Sequence, residues 1–418
     1  MKIKELHNLF LNNPVICTDT RKIKKGSIFF CLKGKNFNGN TFAKEAIKKG
    51  CKYSITDDPK SEIHPKIIVV NNVLETLQKL ATYHRKKLNI PIIGITGTNG
   101  KTTSKELINA ILKSEKKCYA TKGNFNNHIG VPLSILEINK THNIAIIEMG
   151  ANHLKEINFL CKIAQPTHGI ITNIGVAHLE GFKDIQGIIN TKNELYKYLY
   201  RTKGHIFINN DDQLLISLSK NISKTSYGKR GETKTSLINN TPFLDIKWNK
   251  TIIYSNLIGD YQYDNISLAI CIGNYFKISS NNIKIALESY VPKNNRSQII
   301  KNDTNTIILD AYNANPSSMK AMIESFHKQK YKNKVCILGD MLELGNSSHK
   351  EHLAIIQLCK KLELKCYFVG IEFNNVLNTS FLSRKELEKH IKENPFKNKT
   401  LLLKGSRGIG LEKLVKFL

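Results

Sequence analysis

The stretch Gly97-Thr-Asn-Gly-Lys-Thr-Thr103 has the residue types and spacing needed to hold phosphate groups. Gly97 and Gly100 let backbone N–H groups converge on an anion, with Thr98 and Asn99 between them. The helix that follows turns its positive N-terminal end toward the same point. Lys101 can reach β- and γ-phosphates, the Thr102 hydroxyl can sit on Mg²⁺, and Thr103 completes the turn into the helix. Ile95 stands where the usual pattern has its first glycine, so the spacing departs by one residue. The order of apolar strand, glycine-rich turn and helix still predicts a nucleotide phosphate cradle.

Other side chains sit where such chemistry could use them. Glu148 ends an apolar strand and is followed by Met149-Gly150, the place for a magnesium-binding carboxylate. His178, in Asn173-Ile-Gly-Val-Ala-His178, follows another strand end, as a metal ligand or as a structural histidine. Asp310 closes a third strand, where a carboxylate can accept hydrogen bonds from ribose hydroxyls. Arg296 lies at a junction between α/β units and could bring a fixed positive charge to a phosphate. Lys192 lies on a helix with Leu195 and Leu199, and composition does not set it apart from other lysines. The pair His349/His352 lacks a metal-binding pattern and is read as helix surface.

The elements that must position these residues follow from apolar periodicity. Residues 1–72 read as a compact αβ unit, with strands near Ile28, Tyr53–Thr56 and Ile67–Val70. Residues 73–291 alternate helices and strands: a helix over 74–88, a strand over 91–96, a helix over 101–114, and strands over 143–148 and 168–173. That alternation predicts an α/β fold with a mostly parallel sheet, whose ligands bind beyond the carboxyl ends of the strands. Residues 292–418 repeat the alternation, with strands near 306–309, 334–338, 365–369 and 400–403 and a last helix over 411–418.

Composition bounds the function. A chain of 418 residues with 41% hydrophobic content has ample core for about three domains. No run approaches the roughly 20 apolar residues of a membrane span, and the N-terminus lacks a signal-peptide core, so a cytoplasmic protein is expected. Nine scattered cysteines without a C-x-x-C spacing read as small buried hydrophobes in a reducing compartment. The net charge of +29 raises the question of nucleic acid. The lysines are spread singly along the chain with no basic block or aromatic RNA-binding motif, so no nucleic-acid partner is expected. A positive field would also attract an anionic nucleotide substrate.

Several longer stretches taken together resemble the Mur ligases of peptidoglycan synthesis. They are Gly94-Ile-Thr-Gly-Thr-Asn-Gly-Lys-Thr-Thr103, Gly123-Asn-Phe-Asn-Asn-His-Ile-Gly-Val-Pro-Leu133, Glu148-Met-Gly-Ala-Asn-His153 and Ala177-His-Leu-Glu-Gly-Phe182. To these are added Asp310-Ala-Tyr-Asn-Ala-Asn-Pro316, Leu338-Gly-Asp-Met-Leu-Glu-Leu-Gly345 and Lys404-Gly-Ser-Arg-Gly408. The resemblance implies three domains: a UDP-sugar-binding domain, a central P-loop ATPase-like domain and a Rossmann-like C-terminal domain. It implies ATP-dependent ligation of D-alanyl-D-alanine to UDP-N-acetylmuramoyl-tripeptide through an acyl phosphate, by a monomer using ATP and Mg²⁺. Carried over by position, Gly97 to Thr103 hold the triphosphate, and Thr102, Glu148 and His178 serve magnesium. Lys192 falls where relatives carry a carbamoylated lysine. Asn265, Arg296 and Asp310 match nucleotide contacts. Asp19, Thr20 and Arg21 match the uridine-nucleotide segment, and Asn124, Asn126 and Asn127 match the loop near the muramoyl-peptide.

Overall fold

The computed structural model describes residues 1–61, 64–177 and 179–418. Its framework is three sheets in chain order. The first has four parallel strands, Ile16–Cys17, Ile28–Phe30, Tyr53–Thr56 and Ile67–Val69, lying side by side in that order. Helices Ile3–Asn12 and Ala43–Lys48 belong to this unit.

The central sheet has nine strands. Its middle runs Cys118–Ala120, Ile144–Glu148, Ile92–Thr96, His168–Ile171, His205–Asn209 and Ser223–Gly228, all parallel. The parallel core matches the alternation read from the sequence. An edge that periodicity did not reveal is built by Thr233–Asn239, Asp245–Trp248 and Thr251–Tyr254, paired antiparallel. These strands are half-buried, and only their inward residues, such as Ile246, Trp248 and Ile253, join the core.

The third sheet orders Gln298–Lys301, Thr306–Asp310, Thr400–Lys404, Lys334–Gly339 and Lys365–Val369. All neighbours are parallel except the first pair. The last segment, Leu411–Phe417, is helical as expected and takes the 3₁₀ form.

A parallel sheet covered on both faces has apolar residues at consecutive positions, as Ile92, Ile93 and Ile95 do. Side chains alternate between faces. Ile92 joins the core shared with the first unit, while Ile93 and Ile95 join the core under helix Lys101–Lys113. That helix buries Leu107, Ile108, Ile111 and Leu112 against the same face. In the neighbouring strand Ile144 and Ile146 share this core, so two residues on, Glu148 faces the helix as well. Helix Val73–Arg85 begins at the side-chain cap Asn72 and contributes Leu77, Leu80 and Ala81 to a core that runs from the first unit into the second.

One expectation is corrected by burial. His352 is fully buried, not on a helix surface; its Nε2 accepts the Met341 N–H at 3.1 Å and lies 3.8 Å from Asp340. Asn40 is also internal. Its amide donates to Asp57 and accepts the Thr56 hydroxyl, fastening the connection after Ile28–Phe30 to the strand Tyr53–Thr56. The cysteines meet the expectation: all nine are free thiols, eight buried and Cys366 half-buried.

Candidate active site

The cradle closes the strand Ile92–Thr96. Gly97 and Gly100 adopt φ of +141° and +78°, and a β-carbon would approach Thr172 Oγ1 to 2.0 Å at the first and Asn265 Oδ1 to 2.5 Å at the second. Conformation and space therefore both demand glycine. The loop is pinned from the adjacent strand end. Thr98 N–H donates to the Asn173 carbonyl at 2.9 Å, Asn99 N–H to Asn173 Oδ1 at 3.0 Å, and the Thr172 hydroxyl to the Asn99 carbonyl at 2.6 Å. Lys101 Nζ donates back into the loop, to the carbonyls of Gly97 at 2.7 Å and Thr98 at 2.9 Å. Burial lowers its pKa to about 8, with Glu148 pulling the other way.

Glu148 is enclosed by three side chains. Thr102 Oγ1 donates to its Oε2 at 3.0 Å, Asn126 Nδ2 to its Oε1 at 2.9 Å, and Lys105 Nζ lies 3.3 Å from Oε2. Burial pushes its pKa up, but Lys105 first, then Lys101, Asn126 and Arg296, hold it below the usual carboxylate value. The carboxylate is thus ionised, oriented and beside the Thr102 hydroxyl. Two hard oxygen donors side by side at the head of the cradle fit a magnesium ion, which takes one or two protein oxygens and leaves its other positions to phosphate and water.

Lys192, on helix Ile185–Arg201, is 3% exposed, with its ammonium 5.3 Å from the Phe182 ring centre. Burial and the charge of Lys101 lower its pKa to about 7. The geometry thus singles out a lysine that composition could not. His178 lies outside the described residues.

The third unit closes the other side of the cavity. Asp310 is the last residue of its strand and pairs in register with Lys404. Lys404 Nζ donates to Asp310 Oδ2 at 2.5 Å, and the Ser297 N–H donates to Oδ1 at 3.0 Å. Next to Ser297, the Arg296 guanidinium lies over the Tyr312 ring, 3.7 Å from its centre. A direct latch joins this unit to the cradle: Asn99 Nδ2 donates to Ser317 Oγ at 2.9 Å, and Asn315 Nδ2 donates to Asn99 Oδ1 at 2.9 Å. Asn315 also caps helix Pro316–Lys328, whose first residue is proline, so the latch sits on a rigid helix start.

One cavity of about 680 Å³ gathers most of the residues singled out in the sequence. The cradle Gly97–Thr103, Glu148, Lys192 and Asn265 line it from the central unit, and Arg296 and Asp310 from the third. Asn265 faces the cradle from behind, accepting the Ser104 hydroxyl at 2.9 Å. Asn124, Asn126 and Asn127 line it too, with different roles. Asn126 reaches Glu148, while Asn127 Oδ1 accepts the Ile129 and Gly130 N–H groups of its own loop. Asp19, Thr20 and Arg21 do not line this cavity. They form the turn after the first strand, where exposed Arg21 pairs with Asp19 at 2.8 Å and holds that carboxyl at about 2.

Sequence reasoning missed Lys105, Asn173, Tyr312 and Lys404 as individual residues. Lys105 carried a signal, being three residues after Thr102 and so on the same helix face. Lys404 carried another, ending a strand inside a motif already noted. Tyr312 likewise lay inside a noted motif, Asp310–Pro316, and Asn173 had no signal beyond its place after a strand end.

A nucleotide cradle, a carboxylate beside it and a closing α/β unit define a class, and comparison with known proteins gives the same one. Residues 15–94 match the family model described as Mur ligase family, catalytic domain; 95–273 match Mur ligase middle domain; 295–406 match Mur ligase, glutamate ligase domain. The chain belongs to the Mur ligase family. Among its relatives, the UDP-N-acetylmuramoyl-tripeptide–D-alanyl-D-alanine ligase of Bacillus subtilis (strain 168) is 33% identical, covering 96% of this chain and 92% of the relative. The ligase of the same name from Buchnera aphidicola subsp. Baizongia pistaciae is 34% identical, covering 98% and 93%. Among solved structures, MurF from Acinetobacter baumannii superposes with a TM-score of 0.86 at 29% identity, covering 96% of this chain and 92% of that one. The MurF ligase from Thermotoga maritima in complex with ADP gives 0.84 at 25% identity, covering 97% of each.

Proposed function

We propose that this chain joins D-alanyl-D-alanine to the terminal carboxylate of UDP-N-acetylmuramoyl-tripeptide, driven by ATP. The observation that carries this reading is the meeting of Lys101, Glu148, Lys192 and Arg296 around one cavity between the central and third units. The names of the relatives support the choice of substrates. By this reading residues 1–72 hold the UDP-sugar, with Asp19, Thr20 and Arg21 at the uridine nucleotide. Residues 73–291 hold ATP, and residues 292–418 close over it.

The chemistry needs alignment and charge more than a protein nucleophile. The tripeptide carboxylate attacks the γ-phosphorus of ATP, the bond to the β–γ bridging oxygen breaks, and ADP leaves an acyl phosphate. The dipeptide amine then attacks the acyl carbon, loses a proton, and inorganic phosphate departs as the amide forms. Carboxylate and triphosphate repel each other. The cradle N–H groups that Asn173 does not take and the ammonium of Lys101 meet the phosphate oxygens, and Arg296 adds charge from the closing unit. The seat of Arg296 over the Tyr312 ring holds its fork ready without a carboxylate partner among the described residues. The latch from Asn99 to Asn315 and Ser317 keeps the third unit over the cradle, which shields the acyl phosphate from water.

Magnesium would be held by Thr102, Glu148, His178 and Lys192 in its carbamoylated form, and supplies charge neutralisation of the phosphate oxygens. Lys192 suits that modification. A buried amine with a pKa of about 7 is substantially unprotonated at neutral pH, and only the neutral amine adds CO₂.

Mass spectrometry of the amide product tests the reading. Purified protein with ATP, each tripeptide form and D-alanyl-D-alanine is expected to yield the pentapeptide and to release phosphate only when both acceptor and dipeptide are present. Release with a single amino acid, or with folate plus glutamate, would point to another member of the family. Polynucleotide-stimulated hydrolysis would instead connect the +29 charge to nucleic acid. No described helix is long and apolar enough to cross a membrane. Cell fractionation and light scattering test the accompanying reading of a cytoplasmic monomer.

A further inference from the structure

We infer that Lys105 is a positioning residue, the resident counter-charge that holds the Glu148 carboxylate turned toward Thr102 before any cation reaches the site. The inference rests on the proposed magnesium role of Glu148 and adds a residue that role does not include.

Both members of the pair are almost wholly enclosed, with side chains 4% and 3% exposed, and Nζ lies 3.3 Å from Oε2. The arrangement follows from the fold. Glu148 ends a strand on the face covered by helix Lys101–Lys113, and Thr102 and Lys105 are three residues apart on that helix. Both therefore reach the same carboxylate oxygen. A carboxylate this deep needs compensation whether or not a nucleotide is bound. Lys101 does not supply it directly, because its ammonium donates to the loop carbonyls of Gly97 and Thr98. Asn126 and Thr102 supply hydrogen bonds but no charge. Lys105 is the one described cation within ion-pair distance of Glu148.

A resident counter-charge has two consequences. The site is built in the absence of metal, and an arriving cation competes with Lys105 for Oε2. Without Lys105 the bare carboxylate destabilises the empty protein, and a cation restores more than it does in the wild type.

The test is thermal unfolding of full-length wild type, Lys105→Met and Lys105→Arg, in EDTA and in MgCl₂, with and without ADP. Lys105→Met is expected to melt several degrees lower in EDTA and to gain more from MgCl₂ than the wild type, with metal affinity about tenfold tighter. Lys105→Arg is expected to stay near wild type in both. A lysine that only fills space would lower the melting temperature equally in EDTA and MgCl₂, and that result would overturn the inference.

The double variant Lys105→Met/Glu148→Gln, measured in EDTA, removes both charges. It is expected to be more stable than Lys105→Met alone; equal or lower stability would overturn the pairing. If Lys105→Met is insoluble, a soluble double variant supports the inference and an insoluble one overturns it. A wild type indifferent to MgCl₂ would sink the metal reading of Glu148, and the cycle in EDTA would still decide the pairing.

Discussion

Glu148 and Asp310 look alike along the chain. Each ends an apolar parallel strand, and each has a buried lysine against it, Lys105 for one and Lys404 for the other. The partners arrive by different routes. Lys404 is the lateral neighbour of Asp310 in the same sheet, in register, and the second oxygen of Asp310 takes the Ser297 N–H. Glu148 is met instead by side chains alone, two from the helix packed on its face and one from the loop that carries Asn126. A carboxylate tied to main chain and to a strand neighbour braces a fold. One held only by side chains that converge on a cradle is poised to exchange a partner for a ligand.

Replacing Glu148 by Gln gives the largest expected effect. Ligation should fall by roughly 10²–10³-fold, the usual cost of removing one preorganised electrostatic group. Stability should fall by about 3–5 kcal/mol, because Lys105 is left buried without its counter-charge. Steady-state phosphate release and chemical unfolding measure the two. Activity unchanged in Glu148→Gln would end the distinction between the carboxylates.

Lys192 sharpens the contrast from the other side, as a buried lysine with no carboxylate in ion-pair distance among the described residues. Its pKa is lowered from 10.5 to about 7. Below pH 7 the amine is protonated in the folded and unfolded chains alike, and burying that charge costs stability in full. Above pH 7 the folded amine loses its proton while the unfolded one keeps it, so stability rises with pH until the unfolded value is reached. The slope from this group is at most about 1.4 kcal/mol per pH unit. Denaturant unfolding in CO₂-free buffer should show it, and Lys192→Met should remove it. Bicarbonate should weaken it as carbamate forms.

Asp310→Asn should cost less than Glu148→Gln. The Asp310 side chain is 18% exposed against 3% for Glu148, so its charge is less completely desolvated, and a loss of about 1–3 kcal/mol is expected. The Michaelis constant for ATP should rise with kcat changed little, since the residue braces Ser297 and, through it, Arg296. Arg21→Ala should be the mildest. Its ion pair with Asp19 is exposed, so the melting temperature should not move, while the Michaelis constant for the UDP-linked substrate should rise. Titration of each substrate separately checks both.

The readable parts of the site were those written in consecutive residues. Strand, glycine turn and helix around Gly97–Thr103 depend on local φ preferences and on apolar alternation, and they stand as expected. The parallel core of the central sheet was readable for the same reason. The antiparallel edge over 233–254 was not, because the inward positions of its first strand are threonines, Thr233 and Thr235, so its alternation does not show as apolar periodicity. His352 misled because polarity suggested a surface, whereas the fold spends that polarity on the Met341 N–H.

By itself the sequence determined the cradle, the strand-end carboxylates and the family, since each is carried by neighbouring residues or by motifs in order. The motif named Lys101 and the resemblance Lys192; only the tertiary structure added Lys105 and Lys404 and showed Lys192 to be buried. Thr102 and Glu148 are 46 positions apart and Asn99 and Ser317 are 218 apart, so their meeting depends on sheet order and helix packing. A lysine carries the same formula on the surface as in the core. What separates Lys105, Lys192 and Lys404 from the rest is the loss of water around them, and water is removed by the fold.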